Sequence, residues 1–550
     1  MIKKDHRNQE HRRSSVEAVD VEVPHMQRKT KGTQDHRCLV PEVALAAISG
    51  LLLTAAFPKF DWNALAWVAL IPLFWAIQGK PLKAGFRLGF LTGGIHYVTL
   101  LYWITGVMKT YGQLPAVVSW AILLLLALYL GLYLGAFCLL LTGLKHRSPR
   151  LIWITPFLWV GLEYLRAIFL SGFPWENLGY TQYNLLPLIQ ISDMFGVYGL
   201  SALIVAVNLV LFETWRAVNT KQVIPWKALL TVACVVSACL AYGHWRIRQL
   251  DTLLQTAPRL SVALVQGNID QSKKWDPAFQ QETLKRYGRL TRRILGGKPN
   301  LVVWPETALP FYLFHNQPMT RRFIDLVRDS GTSFLVGSPS FARENGQVYY
   351  HNSAYLLNPD GGVLGKYDKV HLVPYGEYVP LKRLFPFLGK IVQAVGDFVP
   401  GRKGQVLSID STEFGVLICF EVIFPELGRA MAANGAQFLV NITNDAWFGR
   451  SSAPYQHMSM AIFRAVETRR AIARAANTGI STVIDPLGRK LKKTPLFREA
   501  VLTQSLPIMD QNTLYVNGGF MFERLCLGLL GLFAAWHIGA ARLRKYRFGK

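Results

Sequence analysis

Three short stretches carry residue types that could do chemistry. Val302-Val303-Trp304-Pro305-Glu306-Thr307 ends an apolar run in a carboxylate. Strand ends are where α/β folds place functional groups, although a lone Glu there serves equally as a surface cap. Lys366-Tyr367-Asp368-Lys369-Val370-His371-Leu372-Val373-Pro374-Tyr375-Gly376-Glu377 sets two lysines, a histidine and two acids around an aromatic turn. A lysine held beside carboxylates keeps its charge and can stabilise a developing oxyanion. The alternative is a solvated loop of weak surface ion pairs, with His371 structural. Phe414-Gly415-Val416-Leu417-Ile418-Cys419-Phe420-Glu421 runs an apolar strand into a thiol, with a helix expected from about 425. At such a turn the helix dipole favours the thiolate. A buried, inert cysteine is the other reading.

These residues need a scaffold, and the pattern from about 258 supplies one. Strands are expected at Leu260–Gln266, Leu301–Trp304, Ser333–Val336, Ser353–Leu357, Gly415–Cys419, Phe438–Ile442 and Thr482–Ile484. Helices are expected over about 277–295, 319–329, 425–434 and 455–476. Many of the strands are apolar throughout, as in a sheet covered by helices. That makes residues 258–512 an α/β layered domain without a P-loop or dinucleotide fingerprint.

The rest of the chain has another character. Of 550 residues, 51% are hydrophobic and only 17% charged, against about 25% charged in a soluble domain. Apolar runs occupy about 42–57, 62–78, 86–107, 114–143, 151–171, 195–214, 226–245 and 520–541. Each is near the roughly 20 residues a helix needs to cross the hydrocarbon core, with the first two short and the fourth long. The expected organisation is a disordered basic tail at 1–40, a seven-span helical bundle at 41–247, the α/β domain at 258–512, a last span at 518–541 and a basic tail at 542–550.

Charge orients this layout. Sixty Lys and Arg against 34 Asp and Glu leave a net charge of +26. The basic residues flank apolar runs rather than forming one stripe, which argues against nucleic acid as the partner. Lys80, Lys83 and Arg87 follow the second run, Lys145, Arg147 and Arg150 the fourth, Arg216, Lys221 and Lys227 the sixth. The loop 172–194 has no Lys or Arg. This alternation places both termini in the cytoplasm and the α/β domain on the outer face. Glu163 and Arg166 share a helix face and read either as a mutual salt bridge or as a headgroup site facing a cavity. The aromatic loop 172–180 suits the outer membrane interface. Cys38, Cys138, Cys234, Cys239 and Cys526 lie in the tail or in apolar runs and form neither a disulfide framework nor a zinc motif.

Glu306 in Trp-Pro-Glu, Lys369 in Tyr-Asp-Lys-Val-His-Leu-Val-Pro-Tyr-Gly-Glu and Cys419 in Ile-Cys-Phe-Glu come in the order Glu, Lys, Cys. The order resembles that of the nitrilase superfamily triad. With eight apolar runs and the α/β domain before the last, the chain resembles one membrane branch of it, the apolipoprotein N-acyltransferases. The resemblance covers nearly all of 41–541. It implies a helical membrane bundle of about eight spans plus a nitrilase-like αββα sandwich. It implies a catalytic triad of Glu306, Lys369 and Cys419, with Glu377, Glu421 and the Phe420 backbone in support. Trp275 matches a pocket-lining aromatic, and Tyr375, Asn444 and Trp447 are expected to bind substrate. The Arg464–Arg474 helix and Asn477-Thr478-Gly479 match elements of packing.

The implied reaction is acyl transfer from a membrane phospholipid, through a Cys419 thioester, to the α-amino group of a diacylglyceryl-cysteine apolipoprotein. No metal or organic cofactor is implied, and a monomer in the bacterial inner membrane is expected. A membrane-tethered amidase acting on a soluble amide is the nearest rival, and a transporter with an inert domain a more distant one. Leu381–Val399, apolar yet basic, is expected to dip into the interface as a mobile lid.

Overall fold

The computed structural model describes residues 39–147, 153–379 and 397–547. The expected tail at 1–40 and the expected lid at 381–399 therefore fall largely outside the described residues. Val40–Lys550 is one compact unit.

The first part of that unit is helical: α1 (Leu39–Ala55), α2 (Ile71–Ala76), α3 (Leu82–Leu100), α4 (Trp103–Thr110), α5 (Ala116–Arg147), α6 (Thr155–Ile168), α7 (Leu186–Ile189), α8 (Ser192–Asn219) and α9 (Trp226–Thr256). Among the described residues four helices are long and apolar enough to cross a membrane: those of α5, α8 and α9, and one over Tyr515–Trp536. The bent pair α3–α4, with 53° between its arms, makes a fifth. The expected runs at 42–57 and 62–78 appear as shorter apolar helices, Pro41–Ala55 and Asn63–Ala76. At 1.5 Å per residue, α6 spans roughly 21 Å, short of the roughly 30 Å hydrocarbon core. The helices pack through small residues. A Cβ on Gly89 of α3 would stand 2.5 Å from the Leu134 carbonyl of α5, so glycine alone allows this approach. By contrast α9 is almost wholly exposed, as a lipid-facing helix is, until Leu250 and Leu254 meet Leu487 and Met509.

The second part is a two-sheet sandwich. Its elements run β1 (Arg259–Gln266), α10 (Pro277–Arg292), β2 (Leu301–Val303), α11 (Gln317–Ser330), β3 (Ser333–Glu344), β4 (Gln347–Leu357), β5 (Val363–Asp368), β6 (Val406–Ile409), β7 (Thr412–Ile418), α12 (Pro425–Ala433), β8 (Phe438–Thr443), α13 (Ala453–Thr468), β9 (Ala471–Ala476), β10 (Thr482–Ile484), β11 (Lys490–Lys493), β12 (Ala500–Pro507) and α14 (Met521–Arg547). One sheet has the order β12-β1-β2-β3-β4-β5, the other β11-β10-β9-β8-β7-β6. Each is parallel at its centre and antiparallel at its edges. Strand alternation divides the first sheet's side chains. Val262, Leu264, Val303, Leu335 and Leu356 join the core shared with the second sheet. Ala263, Val265, Val302, Trp304 and Phe334 pack under α10 and α11, against Tyr287, Leu290 and Phe323.

Two expectations are corrected. The helix expected over 455–476 stops at Thr468, where Arg469 turns left-handed with φ 52°. Residues 471–476 become β9, held between parallel β8 and antiparallel β10. Their Ala-rich sequence favours helix locally, and the ladder on both sides overrides it. The loop 172–180 does not lie at the lipid interface. Trp175, Glu176, Asn177 and Tyr180 are buried, and α13, itself buried nearly all round, packs against α8 of the bundle.

Candidate active site

Glu306, Lys369 and Cys419 each stand just past the end of a strand: β2, β5 and β7 respectively. The first two strands lie in one sheet and the third in the other, so the sandwich brings their ends to one place. Glu306 reaches the centre because β3 carries glycine at 337, where a Cβ would stand 2.7 Å from Glu306 Cα. Its Oε1 accepts from Asn352 Nδ2 at 2.8 Å and its Oε2 from the Asn444 backbone N–H at 3.0 Å.

Lys369 is 1% exposed. Its Nζ donates to Glu377 at 3.0 Å and lies 3.6 Å from Glu306 Oε1. Burial works against its charge, but the Glu377 and Glu306 carboxylates outweigh burial and hold the ammonium well above the usual lysine range. Asn352 also donates to Glu377 at 2.8 Å, so one amide ties both carboxylates together.

Cys419 takes a left-handed backbone, φ 53°, at the turn out of β7. That conformation is costly for a side chain bearing a Cβ and is typical of functional turns. The expectation of a dipole-favoured thiolate is corrected. Burial, then the neighbouring Glu306 carboxylate, push the thiol far above its usual range, with Lys369 opposing. A 3-10 turn over Cys419–Ile423 separates the thiol from α12, which begins at Pro425. At rest the sulfur keeps its proton.

Glu421 is fully buried and clamps the centre. It accepts from the backbone N–H groups of Val370 at 2.6 Å, His371 at 3.1 Å and Ile418 at 2.7 Å, and from Tyr367 Oη at 3.0 Å. Burial raises its carboxyl to about 7. The clamp ties the lysine loop to the cysteine turn. Beneath Cys419, His457 Nε2 donates to the Cys419 carbonyl at 3.1 Å. Its Nδ1 lies 3.0 Å from Asp445, which in turn accepts from Arg474 at 2.8 Å. Burial opposes the Asp445 charge, but Arg474 and His457 together hold the carboxyl down at about 2.

Two family models match the chain. Apolipoprotein N-acyltransferase N-terminal domain covers residues 49–210, and Carbon-nitrogen hydrolase covers 261–510. An apolipoprotein N-acyltransferase of Geobacter metallireducens is 46% identical over 89% of this chain and 94% of its own length. The chain belongs to the apolipoprotein N-acyltransferase family. Members from Chlorobaculum tepidum and Haemophilus influenzae are 31% and 33% identical, over 92% and 91% of this chain and 98% and 95% of theirs. Among solved structures, an amidase from Nesterenkonia sp. is 24% identical, with TM-score 0.35 over 47% of this chain and 92% of the amidase. As an apolipoprotein N-acyltransferase with long apolar helices, the chain is a multi-pass membrane protein that combines a helical region with a carbon-nitrogen hydrolase domain.

The remaining expected residues of this acyltransferase make the following contacts. Asn444 offers its side-chain amide to Gln271 and accepts from Asn477 at 3.0 Å. Trp447 packs edge-on against Tyr111 of the helical region, with centroids 4.8 Å apart. Tyr375 sits in the lysine loop with φ 59°, its N–H donating to Tyr378 at 2.7 Å. Trp275 is half-buried beside Lys274. His371 stacks on Phe424 at 3.6 Å, and burial with Lys369 nearby holds it neutral at about 4.

Sequence reasoning missed three contributors. Lys274, 2% exposed, donates to the Glu306 backbone carbonyl at 3.1 Å, and burial lowers its ammonium to about 8. Asn352 is the bridging amide, and nothing around it in sequence marks it. Trp175 is the third: its ring stacks near Phe420 at 6.5 Å and His457 at 5.9 Å, and its Nε1 donates to Gln456 at 3.0 Å. Arg166 holds that loop by donating to the Trp175 carbonyl at 3.2 Å and to Asn177 at 2.6 Å, while Glu163 accepts from Leu178 at 2.8 Å. Thus Glu163 and Arg166 form no salt bridge with each other and instead brace the loop under the cysteine turn. Both line a small cavity of about 30 Å3.

Proposed function

We propose that this protein transfers a fatty acyl chain from a membrane phospholipid to the N-terminal amine of a diacylglyceryl-cysteine apolipoprotein, with Cys419 as nucleophile, Glu306 as base and Lys369 as oxyanion cation. The observation that carries this reading is the meeting of Glu306, Lys369 and Cys419 in one buried centre backed by Trp175 from the helical region. The names of its relatives support the acceptor, and membrane embedding suits a donor whose chains stay in hydrocarbon.

The resting thiol needs a base, because burial holds its proton. Glu306 accepts that proton as sulfur attacks the ester carbonyl. The oxyanion is met by Lys369 Nζ and the Phe420 backbone N–H. Collapse breaks the ester C–O bond, and the leaving lysophospholipid oxygen takes the proton back from Glu306. The acceptor amine then attacks the thioester, gives its proton to Glu306 and leaves as the amide, while sulfur departs and is reprotonated. Glu377 and Glu421 orient the lysine loop, and Trp275, Tyr375, Asn444 and Trp447 shape the substrate path. Residues 258–512 form the catalytic domain on the periplasmic face of the inner membrane, between a bundle at 41–247 and the last helix. Both termini are cytoplasmic, as the alternation of basic loops indicates, and accessibility labelling of single cysteines tests that orientation.

Intact mass spectrometry after incubation with phospholipid tests the chemistry. Wild type should gain one acyl chain, Cys419→Ala none, and a diacylglyceryl-cysteine peptide should remove it. Hydrolysis of small amides without acyl uptake from lipid would instead establish an amidase.

A further inference from the structure

A second cavity, of about 170 Å3, lies where α6, α8 and α14 meet α12. Lys403, Glu426, Arg429, Glu523 and Arg524 supply its charged lining, and no member of the Glu-Lys-Cys set lines it. Among the described residues none of these five side chains forms a salt bridge. Glu523 is 5% exposed, and its Oε2 has no hydrogen-bond partner. Arg429 and Arg524 both face the ring of Phe520, their guanidinium carbons 4.0 and 4.8 Å from its centroid. A cation–π contact fixes a guanidinium in place without engaging its N–H donors.

Glu523 is buried with one carboxylate oxygen unpaired, Glu426 and Arg429 are half-buried, and Lys403 and Arg524 stand exposed at the mouth, so this arrangement fits a ligand that carries both signs. Position narrows the class. Ile168 lines the cavity at the end of α6 and is 47% exposed, and Leu525, next to Arg524 on α14, is 67% exposed. Apolar surface of this kind on membrane helices is covered by acyl chains. Tyr164, Tyr198 and Tyr515 add amphipathic rings around the charges.

We propose that this cavity binds the headgroup of a phospholipid carrying a primary amine. Arg429, Arg524 and Lys403 take the phosphate, as guanidinium forks do. Glu523 and Glu426 take the ammonium, and the chains run down past Ile168 and Leu525. The bound lipid fastens the membrane helices to α12, six residues beyond Cys419. The inference rests on membrane embedding alone and not on thioester chemistry.

The test uses full-length Cys419→Ala protein, which cannot form the thioester. It is purified in mild detergent and offered phosphatidylethanolamine, phosphatidylglycerol or phosphatidylcholine during native mass spectrometry. One phosphatidylethanolamine should be retained in preference to the others. Retention should fall about tenfold in Arg429→Gln/Arg524→Gln, from the loss of charge-assisted hydrogen bonds. The conservative Arg429→Lys/Arg524→Lys protein should keep most of it, which separates binding from misfolding. Glu523→Gln should abolish the preference over phosphatidylglycerol. Equal retention of all three lipids, or unchanged retention in the glutamine double variant, overturns the proposal. So does loss of retention in Trp275→Ala/Trp447→Ala, because the bound lipid would then be a donor at the catalytic centre.

Discussion

The proposed catalytic centre and the cavity beside α12 each gather five charged side chains of both signs. In the first, Lys274, Glu306, Lys369, Glu377 and Glu421 all have partners within 3.1 Å. In the second, among the described residues, Lys403, Glu426, Arg429, Glu523 and Arg524 form no salt bridge, and the two arginines rest on an aromatic ring. Oriented dipoles and ions act on a transition state only if they are already in place, so a catalytic centre has to be satisfied before substrate arrives. A binding cavity gains affinity by leaving its donors for the ligand. On the roles proposed for them, the degree of internal pairing separates machinery from receptor in one chain.

The sharpest way to break this contrast is to unpair the catalytic centre. Lys369→Met strips Glu377 of its ammonium partner, leaves Glu306 with Lys274 as its neighbouring cation, and removes the charge proposed to meet the oxyanion. Thioester formation, followed by intact mass, should fall by about 10³ or more. Glu421→Gln comes next. It keeps the shape but offers one acceptor oxygen where two now serve four donors, and unsatisfied buried N–H groups cost about 1–3 kcal/mol each. A loss of roughly 10- to 100-fold in the same assay is expected, with a lower Tm.

Trp175→Ala probes the brace from the helical region. It empties the floor under the cysteine turn and should lower both Tm and thioester formation, the latter about tenfold, while Trp175→Phe keeps most of both.

A smaller effect concerns pH. Lys274 loses its proton near 8, against about 10.5 when unfolded, so above pH 8 Glu306 loses a neighbouring cation. Thioester formation, which involves no amine acceptor, should decline above about pH 8 in wild type, and Lys274→Met should lack that limb. Between about 8 and 10.5 the folded state binds fewer protons here than the unfolded one. The lysine's contribution to stability therefore rises with pH across that window. The least effect is expected at the half-exposed pair Arg489–Asp251, where Asp251→Asn should change unfolding free energy by less than about 1 kcal/mol.

Much of the centre was legible because it sits where strands end. Apolar runs into Glu306 and Cys419 can be read from periodicity, and the strands found there, Leu301–Val303 and Thr412–Ile418, begin or end close to those expected. The strand that delivers Lys369 was not legible. Val363–Asp368 is half-exposed and mixes Gly, Lys and Asp, so its pairing with β4 is what makes it a strand. Lys274 and Asn352 escaped for a related reason. A polar residue in a turn and an amide in a strand look the same whether they face water or a buried carboxylate.

By itself the amino-acid sequence determined the two kinds of material in this protein. Runs of apolar residues must leave water, and alternating or short apolar segments must form layers, whatever their partners. It also determined the order Glu306, Lys369, Cys419 of the side chains proposed to react. Only the tertiary structure decided that the loop 172–180 lies under Cys419 rather than at the lipid surface, that an Ala-rich segment is a strand, and that the thiol is protonated. Each of these depends on burial and on charges brought together from distant positions. Arg166, His457 and Glu306 exert those forces across separations that no local pattern records.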